Sequence, residues 1–325
     1  MEKLEELGKE YKRLSVKSKV LAIGTLIIFF ATLILGFIPK FAIIPKMLDF
    51  VETQFNSFFS FLMILLGMII FVIVIIIGVS KLANTITKME DVSCDYYDNY
   101  KKIIVEEALN QLFDNVELSE AGFLEKTIKE SGMFGTGNGY ISNDLYFGKY
   151  KDISFECSDV YIYNNLDDDS PTTTYFKGQW YIFEFNKEFK GKFQVLEADY
   201  LFSKIVELDN FEQIKTEDEE FNKMFNIFGN NAHSVFYVLT PHIIESIKKL
   251  NEKIEGHLLF YFFDSKLHIG VDNQHDMFKP KIKQKINLEK ELEVIKQEVN
   301  PIIEFIDELK LYNKIFKNDS KKGEV

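Results

Sequence analysis

Five histidines and two cysteines are the residues from which metal or nucleophilic chemistry would have to be built in this 325-residue chain. His233, His242, His257, His268 and His275 form no HExxH pair, and Cys94 and Cys157 form neither a CxxC pair nor part of a nucleophile elbow. His257 and His268 could face each other across a hairpin, which makes a two-ligand site at most; two residues on a half-exposed strand are the plainer reading. Asp167, Asp168 and Asp169 are consecutive, without the alternating spacing and closing Glu of a calcium loop. Glu219 and Glu220 lie in the charge run TEDEE, which reads as solvated surface. Gly132, Gly135, Gly137 and Gly139 fall in SGMFGTGNGY. A phosphate loop needs a strand before it, a helix after it and a Lys-Ser/Thr pair, whereas here a helix precedes, a strand-like run follows and the Lys is missing. No catalytic, cofactor-binding or metal-binding residue is therefore assigned, and no cofactor is expected. An enzyme assembled from scattered residues stays open as an alternative.

The elements that would position any site begin with two uncharged runs, Val20–Ile38 and Phe58–Ser80. At a rise of about 1.5 Å per residue these helices reach roughly 28 and 35 Å, enough to cross a hydrocarbon core of about 30 Å. A spanning helix satisfies its own backbone in lipid. The sequence thus predicts an N-terminal segment over 1–19, a transmembrane hairpin over 20–80 with spans at about 20–38 and 58–80, and a helical stalk plus α+β domain over 81–325. Neither span holds an ionisable residue, and two helices enclose no path, which argues against a channel or transporter acting alone. Gly24, Gly36, Gly67 and Gly78 lack the four-residue spacing of a close-packed dimer seam.

The net charge of −12 is divided unevenly. Residues 1–89 carry ten Lys/Arg and six Asp/Glu, a net of +4, which leaves 28 and 44, a net of −16, for residues 90–325. An acidic domain is repelled by nucleic acid and gains nothing from anionic headgroups. Lys3, Lys9, Lys12, Arg13, Lys17 and Lys19 precede the first run, against only Lys40 and Lys46 between the runs. That excess places the amino terminus, and after two crossings the large domain, in the cytoplasm. Multi-pass residence in the inner (plasma) membrane is the expected localisation. Two widely spaced thiols suit a reducing compartment, with Cys157 buried in a strand.

Beyond the second run, Ser80 to about Phe113 reads as a helical stalk with Ile104, Ala108 and Leu112 at one-turn spacing, and SEAGFLEKTIKE reads as a helix capped by Ser119. From Tyr140 the period drops to two. KDISFECSDVYIYN alternates through Ile153, Phe155 and Cys157 and resumes at Val160 and Ile162 after a bulge. QWYIFEFNKEFKGKFQVLE reads as two strands turning at Lys187–Gly191, with Tyr181, Phe183 and Phe185 on one face and Trp180 packed in the core or on the sheet. Thr240, Pro241 and Gly256 mark the cap, first turn and stop of a helix with an apolar seam of Ile243, Ile247, Leu250 and Ile254. HLLFYFFDSKLHIGV reads as a hairpin turning at Asp264-Ser265. Last, Leu288, Leu292, Ile295, Val299, Ile302, Ile306 and Leu309 trace a long amphipathic helix that Pro301 should kink. This helix docks on its own domain or serves as a homo-oligomer seam.

The ordered blocks YKKIIVEEALNQLF, ESGMF, YFGKYKDISFECSDV, FKGQWYIFEFNKEFKGKFQV, FNKMFNIFGNNAHSVFYVLTPHIIESI, HLLFYFFDSKLHIGVDN and LKLYNKIF resemble the bacterial family of domain of unknown function 3137, over residues 97 to 317 or so. The resemblance implies two membrane spans ahead of the domain and bacterial origin. It implies no activity and carries over no catalytic residues. The fold expected is α+β: a two-helix transmembrane hairpin, then a cytoplasmic domain of mostly antiparallel sheet with flanking helices and a long C-terminal helix. Its expected role is a membrane-anchored interaction or tethering module holding a protein partner near the bilayer. The alternatives are an enzyme or small-ligand sensor with a pocket between sheet and helices, and a structural envelope-associated protein.

Overall fold

The computed structural model describes residues 1–37, 57–133, 137–165, 172–200, 210–282 and 284–309. They form two compact units, one of residues 1–100 with 280–286 and one of 101–279 with 287 onward. Asp167–Asp169, Gly135 and the segment between the two apolar runs lie outside the described residues, as does everything after Leu309.

The first unit is built on two antiparallel helices, α1 (Glu2–Phe37) and α2 (Ser57–Tyr100). Their alignment can be read from two close approaches. A Cβ on Gly78 would lie 3.1 Å from Thr25 Oγ1, and one on Gly8 would lie 3.7 Å from the Tyr96 ring. Residues 20 and about 83 therefore stand at one level. Both helices are long and apolar enough to cross a membrane. Their apolar side chains are turned outward, with Val20 63%, Leu26 58% and Ile76 60% exposed. Beyond the apolar stretch the pair buries Leu4, Thr85, Val92, Tyr96 and Tyr100 instead. Residues 1–19 are thus part of a continuous helix, and residues 81–100, expected to belong with the large domain, cluster with the first unit. The reason is pairing: an amphipathic extension on one helix finds its apolar partner on the other.

The second unit begins with a wide π turn, Lys101–Val105, and the short α3 (Glu106–Asn110), which bury Ile104, Val105, Ala108 and Leu109. Strand β1 (Asp114–Ala121) follows, then α4 (Glu125–Lys129), β2 (Gly139–Tyr150), β3 (Ile153–Asn164), β4 (Thr173–Glu197), β5 (Glu212–Ile214), α5 (Glu219–Met224) and β6 (Phe225–Gly229). The remainder is α6 (Ala232–Val238), α7 (Pro241–Lys253), β7 (His257–Asp272) and α8 (Leu288–Leu309). The strands make an α+β fold with an antiparallel sheet in the order β1-β2-β3-β4-β6-β5, and β7 also pairs with β4.

Four local expectations are corrected. Ser119 does not cap a helix: it pairs with Leu145 in β1, and the helix after it is only Glu125–Lys129. A short helix is marginal in water, whereas a paired edge strand gains a ladder of hydrogen bonds. The bulge expected in β3 lies on β2, between Asn143 and Tyr146, with Asp144 at φ 60°. Neither expected hairpin forms. β4 and β7 run side by side from Gln179↔Val271 to Leu196↔Leu259, so the turn residues become bulges inside long bent strands. Near the bend β4 advances eight residues, Glu184 to Lys192, while β7 advances three, Lys266 to Phe263. Gly191 at φ +106° and Asp264 at φ 51° absorb the distortion.

Both faces of the sheet are covered. Phe155, Phe183, Phe193 and Phe260 are buried on one side, where Phe260 meets Phe305 of α8 at 5.5 Å between ring centroids. Tyr181 and Phe183 share this face, as the sequence indicated. On the other side Val160, Ile162, Trp180, Ile182, Leu196 and Tyr261 pack with Ile128 and Met133. The switch along β3 from Cys157 to Val160 marks the passage from one core to the other. Helix α7 is punctuated as predicted: the Thr240 hydroxyl accepts from Ile243 N–H, Pro241 opens the first turn, and Gly256 sits at φ +108° where a Cβ would meet Asp272 O at 2.6 Å. Helix α8 runs through Pro301 and buries Ile295, Val299, Ile302, Ile306 and Leu309 within its own unit. Of the predicted seam, Leu288 stays exposed and Leu292 half-buried.

Candidate functional site

Among the described residues the most built-up polar site is a cleft of about 510 Å³ at the end of β7, between the loop 273–279 and helix α8. Gln179 and Tyr181 of β4, Asn273 and His275 of the loop, and Gln297, Glu298 and Pro301 of α8 line it. Its rim mixes signs, with Lys177, Lys253 and Lys279 against Glu255, Asp276 and Glu298.

Asp159 of β3 is the hub beneath this cleft. Only 7% exposed, it accepts from Met277 N–H at 3.0 Å on each oxygen and from Gln179 Nε2 at 3.3 Å. Gln179 Nε2 also donates to His275 O at 2.9 Å, and its Oε1 accepts from Asn273 Nδ2 at 2.8 Å. Asn273 Oδ1 in turn accepts from His275 N–H at 3.1 Å. The loop is thereby tied to β3 and β4 by its backbone. Burial pushes the Asp159 carboxyl up to about 7, against the lowering effect of Met277 N–H and Gln179, and nearby Asp276 and Asp144 raise it further. Partial desolvation also raises Glu298, a surface residue that accepts from the Phe278 backbone. A carboxyl held near neutrality beside a cleft can exchange a proton at physiological pH.

Tyr181 and Cys157 face each other across β3 and β4 and are hydrogen-bonded. Burial drives both well above their ordinary values, so at neutral pH Cys157 is a thiol and not a nucleophile.

The histidines weighed in the sequence do not converge. His257 and His268 lie eleven residues apart on one strand and do not face each other. His257 Nδ1 is 2.8 Å from Glu197 Oε2 and 3.8 Å from Asp199 Oδ1, and these three side chains bring donor atoms within 4.8 Å of one another. Among the described residues they are the set that could hold a metal ion. Glu197 is already engaged, since its other oxygen accepts from Leu258 N–H at 2.7 Å and clasps the start of β7 to the end of β4. His268 is buried. Its Nδ1 accepts from Trp180 Nε1 at 3.3 Å, while Nε2 has no hydrogen-bond partner among the described residues and lies in a cage of Trp180, Tyr261 and Phe263. Burial, with a smaller effect of Lys266, lowers it to about 3, so it is neutral. His242 stands at the surface, 3.1 Å from Glu308. His233 is exposed on α6, and Glu219 and Glu220 open α5 at the surface.

Sequence reasoning missed Asp159, Gln179, Asn273 and Glu298. Two signals were there: an Asp in the middle of an apolar strand, and the polar run DNQHD directly after one.

Residues 174–311 match the family described as "Protein of unknown function (DUF3137)". The match takes in Gln179, Asn273 and Glu298 and starts after Asp159; it is shorter than the span of about 97 to 317 suggested by the ordered blocks. No curated protein matches the chain. The solved structure of the mycobacterial trehalose monomycolate transport factor A, TtfA, aligns over 63% of this chain and 90% of that one, at 8% identity and a TM-score of 0.37, a likeness that carries no argument. From β4 to the end of α8, the chain is a DUF3137 family domain.

Proposed function

We propose that this chain is a membrane-anchored interaction module, with two spans in a bacterial inner membrane, both the amino terminus and the α+β unit in the cytoplasm, and the mixed-charge cleft receiving a protein partner. The observation that carries the reading is the outward-facing apolar surface of α1 and α2, where Val20, Ile27 and Ile76 are each about 60% exposed along lipid-length stretches. Water leaves such a surface unsatisfied and a hydrocarbon core does not. Tethering in turn raises the local concentration of whatever the second unit binds. The test is alkaline carbonate extraction followed by photocrosslinking from Gln274 or Lys279 on the cleft rim. Retention in the pellet and one discrete protein adduct support the reading. Release into the supernatant, or adducts no different from those formed at the exposed Lys126, overturns it.

A second reading, a small-ligand sensor, is favoured by the hydrogen-bonded floor of Gln179 and Asn273 above Asp159. It calls for a discrete metabolite that raises the melting temperature and whose effect is lost in Gln179→Leu.

A further inference from the structure

Regular pairing of β4 with β7 stops at Leu196↔Leu259, and three side chains of metal-ligating type gather just past that point. Glu197 closes β4, Asp199 sits in the turn after it, and His257 opens β7. His257 Nδ1 lies 2.8 Å from Glu197 Oε2 and 3.8 Å from Asp199 Oδ1. With metal–ligand bonds of about 2.0–2.1 Å, two ligand atoms on one ion stand about 2.8–4.2 Å apart. Both separations fall in that range. The third lies within 4.8 Å, and a small turn of the Asp199 side chain, which is 75% exposed, brings it in. Asp199 and His257 open the set to solvent, while Glu197 is its buried end. Its partners hold the set in place: Leu258 N–H fixes the other oxygen of Glu197 at 2.7 Å. The Tyr200 ring lies 5.2 Å from that of His257, and its hydroxyl donates to Asp272 Oδ2 at 2.8 Å. Outer partners of this kind orient metal ligands. His242 and Glu308 make the contrasting case, a surface His–carboxylate pair with no third ligand among the described residues.

We propose that Glu197 Oε2, Asp199 Oδ1 and His257 Nδ1 bind a zinc ion, with water in the remaining position. The imidazole donor selects zinc over magnesium and calcium, which take oxygen ligands. Without the ion, Nδ1–H donates to Glu197; with it, the ring carries its proton on Nε2 and turns the Nδ1 lone pair to the metal. Two carboxylates balance the double charge of the ion. The ion ties the end of β4 to the start of β7 where their ladder gives out, and so stabilises that end of the sheet. The site lies wholly within the α+β unit and depends on neither the membrane anchor nor a partner in the cleft.

The experiment uses the tag-free, detergent-solubilised full chain in a Cys94→Ser background, which removes the exposed thiol as a competing ligand. Isothermal titration with zinc chloride is expected to show one ion per chain, and zinc is expected to raise the melting temperature. Asp199→Asn and His257→Ala are each expected to weaken binding by about tenfold or more, the least that an outer partner of a metal ligand is worth. Asp199 is exposed, so Asp199→Asn keeps the test decisive even where His257→Ala fails to fold. The control His242→Ala/Glu308→Gln, which removes the surface pair, is expected to bind zinc as its parent does. Absence of saturable zinc binding overturns the proposal, and so does an Asp199→Asn protein that binds as tightly as its parent. Calcium bound at least as tightly as zinc overturns coordination by the imidazole and leaves only a pair of acidic groups.

Discussion

Asp159 and His268 are both buried, and burial moves them in opposite senses with respect to charge and pH. Asp159 is raised to about 7. Between its unfolded value, near 4, and 7 the folded protein holds a proton that the unfolded chain has released, so this contribution to stability is present at low pH and lost as pH rises. His268 is lowered to about 3. Between 3 and 6.5 the unfolded chain holds a proton that the folded protein lacks, so stability is present above 6.5 and lost as pH falls. The two slopes cancel between about pH 4 and 6.5. Each single variant exposes the other's slope, about 1.4 kcal/mol per pH unit. Urea unfolding followed by the fluorescence of Trp180, the only tryptophan and fully buried, should show Asp159→Asn gaining stability as pH rises. His268→Gln, which keeps an acceptor for the indole, should show the reverse. Parallel pH profiles for the two variants would contradict this pairing.

At the scale of elements, the long β4–β7 ladder is the central departure from the sequence reading. Turn-forming residues at Lys187–Gly191 and Asp264-Ser265 matched local hairpin chemistry, yet both are bulges between strands that pair far apart in sequence. A hairpin within each segment would leave the aromatic residues of the other without a neighbouring strand, whereas the observed pairing stacks Phe193 on Phe262 at 4.5 Å. Glu184 and Lys266 are register partners. Glu184→Cys/Lys266→Cys in a Cys94→Ser background should form an intramolecular disulfide under mild oxidation. Two separate hairpins would leave these thiols unlinked. Helix α7 needed no such correction, because its cap, first turn and stop depend on three residues acting within one helix.

On the scale of the whole molecule, the chain supplies its own reporter of orientation. Cys94 is exposed on α2 beyond the apolar stretch and Cys157 is buried. With the proposed inward-facing amino terminus, a membrane-impermeant maleimide should leave Cys94 unmodified in intact cells and label it stoichiometrically after permeabilisation. Labelling in intact cells would place this end of α2 outside. The charge split, +4 over 1–89 and −16 over 90–325, follows the same division of labour. Its basic share sits on the segment that carries the two long apolar stretches, and its acidic share on the rest of the chain.

Much of this was legible without coordinates, and all of it was local in origin. An uncharged run announces a lipid-length helix, Thr240-Pro241 and Gly256 announce the ends of another, and the spacing from Leu288 to Leu309 announces a third, because these signals act between residues at most a few turns apart. What only the tertiary structure decided was non-local: which strand β4 pairs with, that the seam of α8 is buried from Ile295 to Leu309 inside its own unit, and that Asp159 lies beneath Gln179 and Asn273. Those outcomes depend on burial and on partners roughly 20 to 120 residues distant. A period of two cannot reveal them, since it states which residues share a face and not what covers that face.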